Sequence, residues 1–228
     1  MAQYSGKKII SLIGPIGSGK GTQADKLAEE LNMHHFDTSR VLRKFLAAAL
    51  PDDQEARKEK ELYQAGELLS PPFVCRVLLG EIRVLLADIN GVVFSGSPRT
   101  VYEFECELPA FDELVGAENV HLFYIELSKE EAIKRNSARL VCEKNRHPIP
   151  NLPGYEEARK LMVCPKDGSR LIKRSLDSAE MIAKRYDVYL RDTKPILDKA
   201  KELGYKFIEI NGDQTIEKVH EDIRMHLS

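Results

Sequence analysis

The chain has 228 residues, 34 Lys and Arg against 36 Asp and Glu, a net charge of −2 and 43% hydrophobic residues. That length and apolar share suit one large α/β domain with small insertions. Charges of both signs are mixed along the chain, which excludes nucleic acid as the main partner, because gripping a phosphate backbone takes a basic patch.

Residues 1–8 lead into only a brief apolar strand, with no signal-peptide core and no run of about 18 apolar residues, so a soluble, cytoplasmic protein with no membrane partner is expected. Cys75, Cys106, Cys142 and Cys164 are then expected as thiols or metal ligands and not as disulfides. The run 9–13 predicts a buried strand and 23–31 a helix. Between them lies Gly14-Pro15-Ile16-Gly17-Ser18-Gly19-Lys20-Gly21-Thr22. Glycines let a backbone turn with positive φ and approach a ligand closely. Successive N–H groups then face one concavity, and the start of the helix adds partial positive charge. Lys20 is expected at the outer phosphates of a nucleotide and a following hydroxyl on Mg²⁺, here Thr22, since Gly21 stands first after the lysine.

A short strand at 33–36 follows, then a polar, charge-rich helical stretch at 38–71 read mostly as a solvated face. Next come a helix at 72–88 and a strand at 92–94. The strand opens into Ser95-Gly96-Ser97-Pro98-Arg99-Thr100, which puts Arg99 at a strand's carboxyl end, where open α/β sheets bind ligands. A strand at 121–125 leads to a helix at 129–139, with Arg135 and Arg139 on one face. Residues 140–171 hold Pro148, Pro150, Pro153, Pro165, Gly154, Gly168 and two cysteines, with little helical periodicity, and read as a lid. A helix at 177–203, a strand at 206–210 and a helix at 216–225 complete the chain. Such alternation implies a parallel sheet covered on both faces. Phosphoryl transfer needs cations over several oxygens at once, and Arg43, Arg99, Arg135, Arg139, Arg174 and Arg185 are the candidates.

At these residues the chain resembles the adenylate kinase family of nucleoside monophosphate kinases, over essentially its whole length. The family loop G-x-x-G-x-G-K-G-T-Q-A is matched by Gly14 through Ala24. Its S-T-G-D-x-L-R segment appears as Asp37-Thr38-Ser39-Arg40-Val41-Leu42-Arg43, and its D-G-F-P-R-T as Ser95 through Thr100. Its arginine pair before the lid is Arg135 and Arg139; its later residues are echoed by Arg174, Asp177, Arg185, Tyr189, Thr193 and Ile210-Asn211-Gly212. The resemblance implies a P-loop kinase: a five-stranded parallel sheet in order 2-3-1-4-5 flanked by helices. The core is expected at 1–37, 72–139 and 172–228, a monophosphate-binding insertion at 38–71 and the lid at 140–171. It implies a phosphotransferase moving phosphate reversibly from Mg²⁺-ATP to AMP to give two ADP, in a protein expected to be a monomer.

By the same resemblance Gly17, Ser18, Gly19, Lys20, Gly21, Thr22, Arg135 and Arg139 hold ATP, with Arg135 on the adenine. Thr38, Arg43, Leu69, Arg99, Glu103, Arg174 and Arg185 line the AMP side, while Lys20, Arg99, Arg139, Arg174 and Arg185 surround the transferred group. Three departures matter. Ser95 replaces an Asp that orders the Mg²⁺ water shell, so weaker Mg²⁺ binding or turnover is expected, and a nucleotide-binding protein with little catalysis is one reading of it. Arg40 adds positive charge to the insertion. Glu103 replaces a base-reading Gln; as a carboxylate it only accepts hydrogen bonds, which suits guanine better than adenine, so GMP, UMP or CMP stand as alternative acceptors. In the lid, Cys142, His147, Cys164 and Asp167 stand where some relatives hold a structural zinc, with Asn145 at the place of one ligand. A zinc site and a hydrogen-bonded turn are both readings of that segment.

Overall fold

The computed structural model describes residues 3–4, 6–50, 52–145, 147–151, 154–173 and 177–227. It runs β1 (Lys8–Ile13), α1 (Lys20–Glu30), β2 (His34–Asp37), α2 (Thr38–Ala48), α3 (Gln54–Gln64), α4 (Pro71–Asp88), β3 (Gly91–Ser95), α5 (Val101–Val115), β4 (Val120–Glu126) and α6 (Lys129–Ser137). Then come β5 (Leu140–Cys142), β6 (Pro148–Ile149), α7 (Glu156–Leu161), β7 (Leu171–Ile172), α8 (Ala179–Val188), α9 (Ile196–Glu202), β8 (Phe207–Asn211) and α10 (Ile216–Arg224).

The parallel sheet has the order β2-β3-β1-β4-β8. This is the expected 2-3-1-4-5, with β8 as its fifth strand because β5, β6 and β7 form a separate antiparallel sheet in between. Successive side chains of a strand point to opposite faces. Ile9 and Ile13 accordingly join Phe94, Phe104 and Phe111 on one face, while Ile10 and Leu12 join Leu27, Val93, Phe123 and Ile223 on the other. Burial on both faces is why β1 and β3 read as continuous apolar runs.

Three expectations need correction. The helix expected at 177–203 is broken into α8, a π-helical turn at Tyr189–Thr193 and α9. Pro195 lacks the N–H that an unbroken helix would use. The helix expected to 139 ends at Ser137, because the chain enters β5 three residues later. The segment 140–171, read as having little helical periodicity, carries the helix α7 and strand pairing around its own cluster of Leu140, Cys142, Ile149, Cys164 and Leu171. In the charge-rich stretch Glu59 turns inward and accepts from the Ser70 N–H at 2.8 Å, beside a small core of Leu42, Leu46, Leu69 and Phe73. Among the described residues no helix is long and apolar enough to cross a membrane.

Candidate active site

The turn between β1 and α1 takes its shape from glycines at positive φ. A Cβ on Gly14 would run into the Ile125 carbonyl oxygen of β4, and one on Gly17 into the Asn136 amide of α6. Gly19, at φ 92°, stands at the start of α1, so the loop delivers its N–H groups to the helix end. Lys20, the first residue of that helix, folds back: its Nζ donates to the carbonyls of Gly14 and Pro15 at 2.8 and 2.6 Å. Burial, followed by the charges of Arg99, Arg185 and Arg139, lowers its pKa to about 7. Four cations thus converge on one point, an arrangement that favours a polyanion.

That point lies within a cavity of about 680 Å³. Gly17, Ser18, Gly19, Lys20, Gly21, Thr22, Arg135 and Arg139 line it, as do Thr38, Arg43, Leu69, Arg99, Glu103 and Arg185. Arg174 lies outside the described residues. Arg99 is held by donation from Nε to the Gly96 carbonyl at 2.7 Å and from Nη2 to Ser39 Oγ at 3.0 Å. Arg139 makes a forked pair with the buried Asp177, its Nη2 2.8 Å from Oδ1. Arg135 donates to Glu131 Oε1 and to the Gly212 carbonyl, both at 2.9 Å. Away from the loop the lining turns apolar, with Leu42, Leu46, Leu69 and Val74. There the Thr38 hydroxyl is buried without a hydrogen-bond partner among the described residues, an orphan of the kind that a bound ligand satisfies.

Glu103 does not stand in the wall as a free carboxylate. It is 1% exposed and accepts from the Arg99 N–H at 2.8 Å. Burial raises its pKa to about 7. Behind it Glu107 is raised further, by burial and then by the charge of Glu103, and it accepts from the Ser97 hydroxyl at 3.0 Å. Sequence reasoning missed Glu107, and also Asp25 and His35: His35 touches Asp25 on one side and Ser95 on the other, contacts that arise only when three elements meet.

In the separate sheet, one ligand atom from each of Cys142, His147, Cys164 and Asp167 lies within 4.8 Å of the others. His147 Nδ1 is 3.5 Å from both sulfurs and 3.2 Å from Asp167 Oδ2, which is 3.4 Å from Cys142 Sγ. Zinc bonds of roughly 2.3 Å to sulfur and 2.0 Å to nitrogen give a tetrahedral edge of about 3.5 Å, so the four atoms fit such an ion. The Asn145 and His147 N–H groups donate to Cys142 Sγ at 3.3 and 3.2 Å. Asn145 is not one of the four: its amide donates to Asp167 Oδ2 at 2.8 Å.

Comparison with known proteins adds an independent finding. The sequence model of one family, described as adenylate kinase, matches residues 12–205. The chain is 34% identical over 222 residues to an adenylate kinase of Caldanaerobacter subterraneus, covering 96% of this chain and 95% of that one. It is 34% identical over 229 residues to an adenylate kinase of Listeria monocytogenes, covering 96% and 98%. An adenylate kinase of Oceanobacillus iheyensis is 32% identical over 219 residues, covering 94% and 96%.

Proposed function

This chain belongs to the adenylate kinase family and transfers a phosphoryl group reversibly between ATP and AMP, and we propose how its own residues do so. The loop 14–22 and Lys20 hold the ATP phosphates, and Arg135 covers the adenine. Arg43 and Arg99 grip the AMP phosphate, and Arg139, Arg174 and Arg185 close over the group in transit. Mg²⁺ arrives with ATP and supplies charge neutralisation on its phosphates. The protein adds preorganised cations, which act strongly where water is excluded. Residues 38–71 would close over AMP and 140–171 over ATP, keeping water from the phosphoryl group. The observation that carries this reading is the convergence of Lys20, Arg99, Arg139 and Arg185 inside one cavity, with the glycine loop at one end and an apolar wall at the other.

Glu103 supports AMP as the acceptor once its burial is considered. A neutral carboxylic acid donates one hydrogen bond and accepts another, as an amide does, so the protonated side chain suits adenine where a carboxylate would not. A structural zinc on Cys142, His147, Cys164 and Asp167 would tie the arms of the lid together; with four protein ligands it has no open position for chemistry. The test is an assay of each nucleoside monophosphate against ATP. AMP is expected to be the best acceptor, and Arg99→Ala is expected to raise the AMP KM and lower kcat while ATP affinity holds. Collapse of ATP affinity with AMP binding intact would reverse the two ends of the cavity.

A further inference from the structure

Between α8 and α9 the chain makes one wider turn: the Lys194 N–H donates to the Tyr189 carbonyl, five residues back, at 2.9 Å. Turns of this kind recur at functional sites. Its outer residues Leu190 and Arg191 are exposed, while Tyr189 and Thr193 at its two ends are buried in the wall of the cavity. The Tyr189 hydroxyl meets that of Tyr124 in β4 at 2.7 Å, which holds the turn against the sheet. The Thr193 hydroxyl crosses to a different element and donates to the Arg99 carbonyl at 2.7 Å, 94 residues away in sequence. A threonine in a helical turn often bonds a carbonyl of its own preceding turn, and it is a weak helix former. Neither local use accounts for Thr193; what its hydroxyl serves is the Arg99 carbonyl.

Arg99 is fixed at four polar groups. Its N–H donates to Glu103 Oε2 at 2.8 Å, its carbonyl takes the Thr193 hydroxyl, and its Nε and Nη2 donate to the Gly96 carbonyl and to Ser39 Oγ. Two of the five guanidinium N–H groups are thereby committed, and three remain for a phosphate. The Thr193 bond differs from the others in where it leads. Glu103 and Gly96 are chain neighbours of Arg99, and Ser39 belongs to α2. Thr193 instead belongs to the helical segment that carries Arg185, a second cation of the phosphate site. A misplacement of about 1 Å can cost about 10²-fold in rate, so the spacing of these two cations matters. Resting on the reading that Arg99 grips the acceptor phosphate, we propose that Thr193 is a positioning residue. From the π-helical turn its hydroxyl holds the Arg99 backbone in register with Arg185, and so aims the Arg99 guanidinium at the phosphate of the acceptor nucleotide.

The closing experiment has one readout free of nucleotide. In the unliganded protein the Arg99 Nε–H is expected to exchange slowly with solvent by NMR. Exchange should quicken in Thr193→Val, which keeps the shape of the side chain and loses the hydroxyl, and return to the parent rate in Thr193→Ser, which keeps the hydroxyl. Equal exchange in the parent and Thr193→Val overturns the proposal whatever the cavity binds. In activity, Thr193→Val should raise the AMP KM about tenfold, the size of one lost hydrogen bond, with the ATP KM unchanged and Thr193→Ser close to the parent. Thr193→Ala, which places no methyl against the carbonyl, should match Thr193→Val; the parent's AMP KM in Thr193→Ala would trace the effect to crowding and overturn the proposal. In an Arg99→Ala background Thr193→Val should add nothing to the AMP KM, because the guanidinium that it aims is gone. Multiplying effects overturn the assignment, since Thr193 would then act on the fold at large. If Arg99→Ala itself leaves the AMP KM intact while exchange at Nε responds to Thr193→Val, the reading of the AMP end falls and the hold of Thr193 on Arg99 stands.

Discussion

At Lys20 a single proton reports on the whole phosphate site. With its pKa near 7, only about a tenth of the side chain is charged at about pH 8. The ATP phosphates bring negative charge against it and restore the ammonium, so binding must take up a proton. Calorimetry in buffers of different ionisation enthalpy is expected to show uptake approaching one proton per ATP at that pH, and none in Lys20→Met. The same variant should lose ~10²–10³ in rate with its fold intact, the usual cost of one preorganised group. Glu103 and Glu107 run the opposite way. Both are raised above their unfolded values, so the native state holds protons that the unfolded chain gives up above about pH 4.5. Their burial is therefore harmless in acid and costs stability as pH rises. Glu107→Gln, which does not titrate, is expected to raise Tm more at about pH 8 than at about pH 5; an equal gain at both would mean that the carboxyl is ionised in the fold. For Glu103 the readout is AMP recognition. The AMP KM should climb as pH passes about 7, where the acid loses its donor, and stay flat in Glu103→Gln.

At the scale of elements, legibility followed the range of the interaction. The glycine loop and the parallel sheet could be read, because turn chemistry and strand burial leave their marks within ten residues or so of the chain, whereas the order of the strands was implied only by the family resemblance. The Asp25–His35–Ser95 contact could not, since Ser95 is 60 residues from His35 and only sheet pairing brings them together. Nor could the inward turn of Glu59, which in sequence is one charge in a charged run. The lid lay between these cases: its ligand types were visible, its strand pairing was not. Few apolar side chains hold that lid, namely a cluster of five buried residues of which two are its cysteines. A metal there would be a main source of its order. About one zinc per chain is expected on metal analysis, and EDTA should lower Tm without abolishing Mg²⁺-dependent transfer. Cys164→Ser should mimic EDTA. Absence of zinc and no thermal response to the chelator would leave a hydrogen-bonded turn.

Across the whole molecule, partly exposed ion pairs join distant elements around the cavity. Lys166 of the lid reaches Asp25 of α1 at 3.1 Å, and Glu67, following α3, pairs with Lys184 of α8 and Arg191 of the π-helical turn at 3.2 and 3.1 Å. These are partly exposed contacts, and such pairs contribute little each. Weak latches suit an enzyme that must shut to keep water out and open again to release product, because a step that costs much to reverse would become the slow one. Glu67 lines the cavity without touching the cationic centre around Lys20, so it is the latch that can be removed with the chemistry left in place. Glu67→Gln, which breaks both pairs, is expected to raise the AMP KM by no more than about thirtyfold, the ceiling for two exposed pairs. The ATP KM should hold. kcat should hold or rise, since opening becomes easier once the phosphoryl group has moved. High salt, which screens exposed charges, should bring the parent protein toward the variant and leave the variant nearly unchanged. A fall in kcat with the AMP KM intact would place Glu67 in the transfer step itself and not in the closing of residues 38–71.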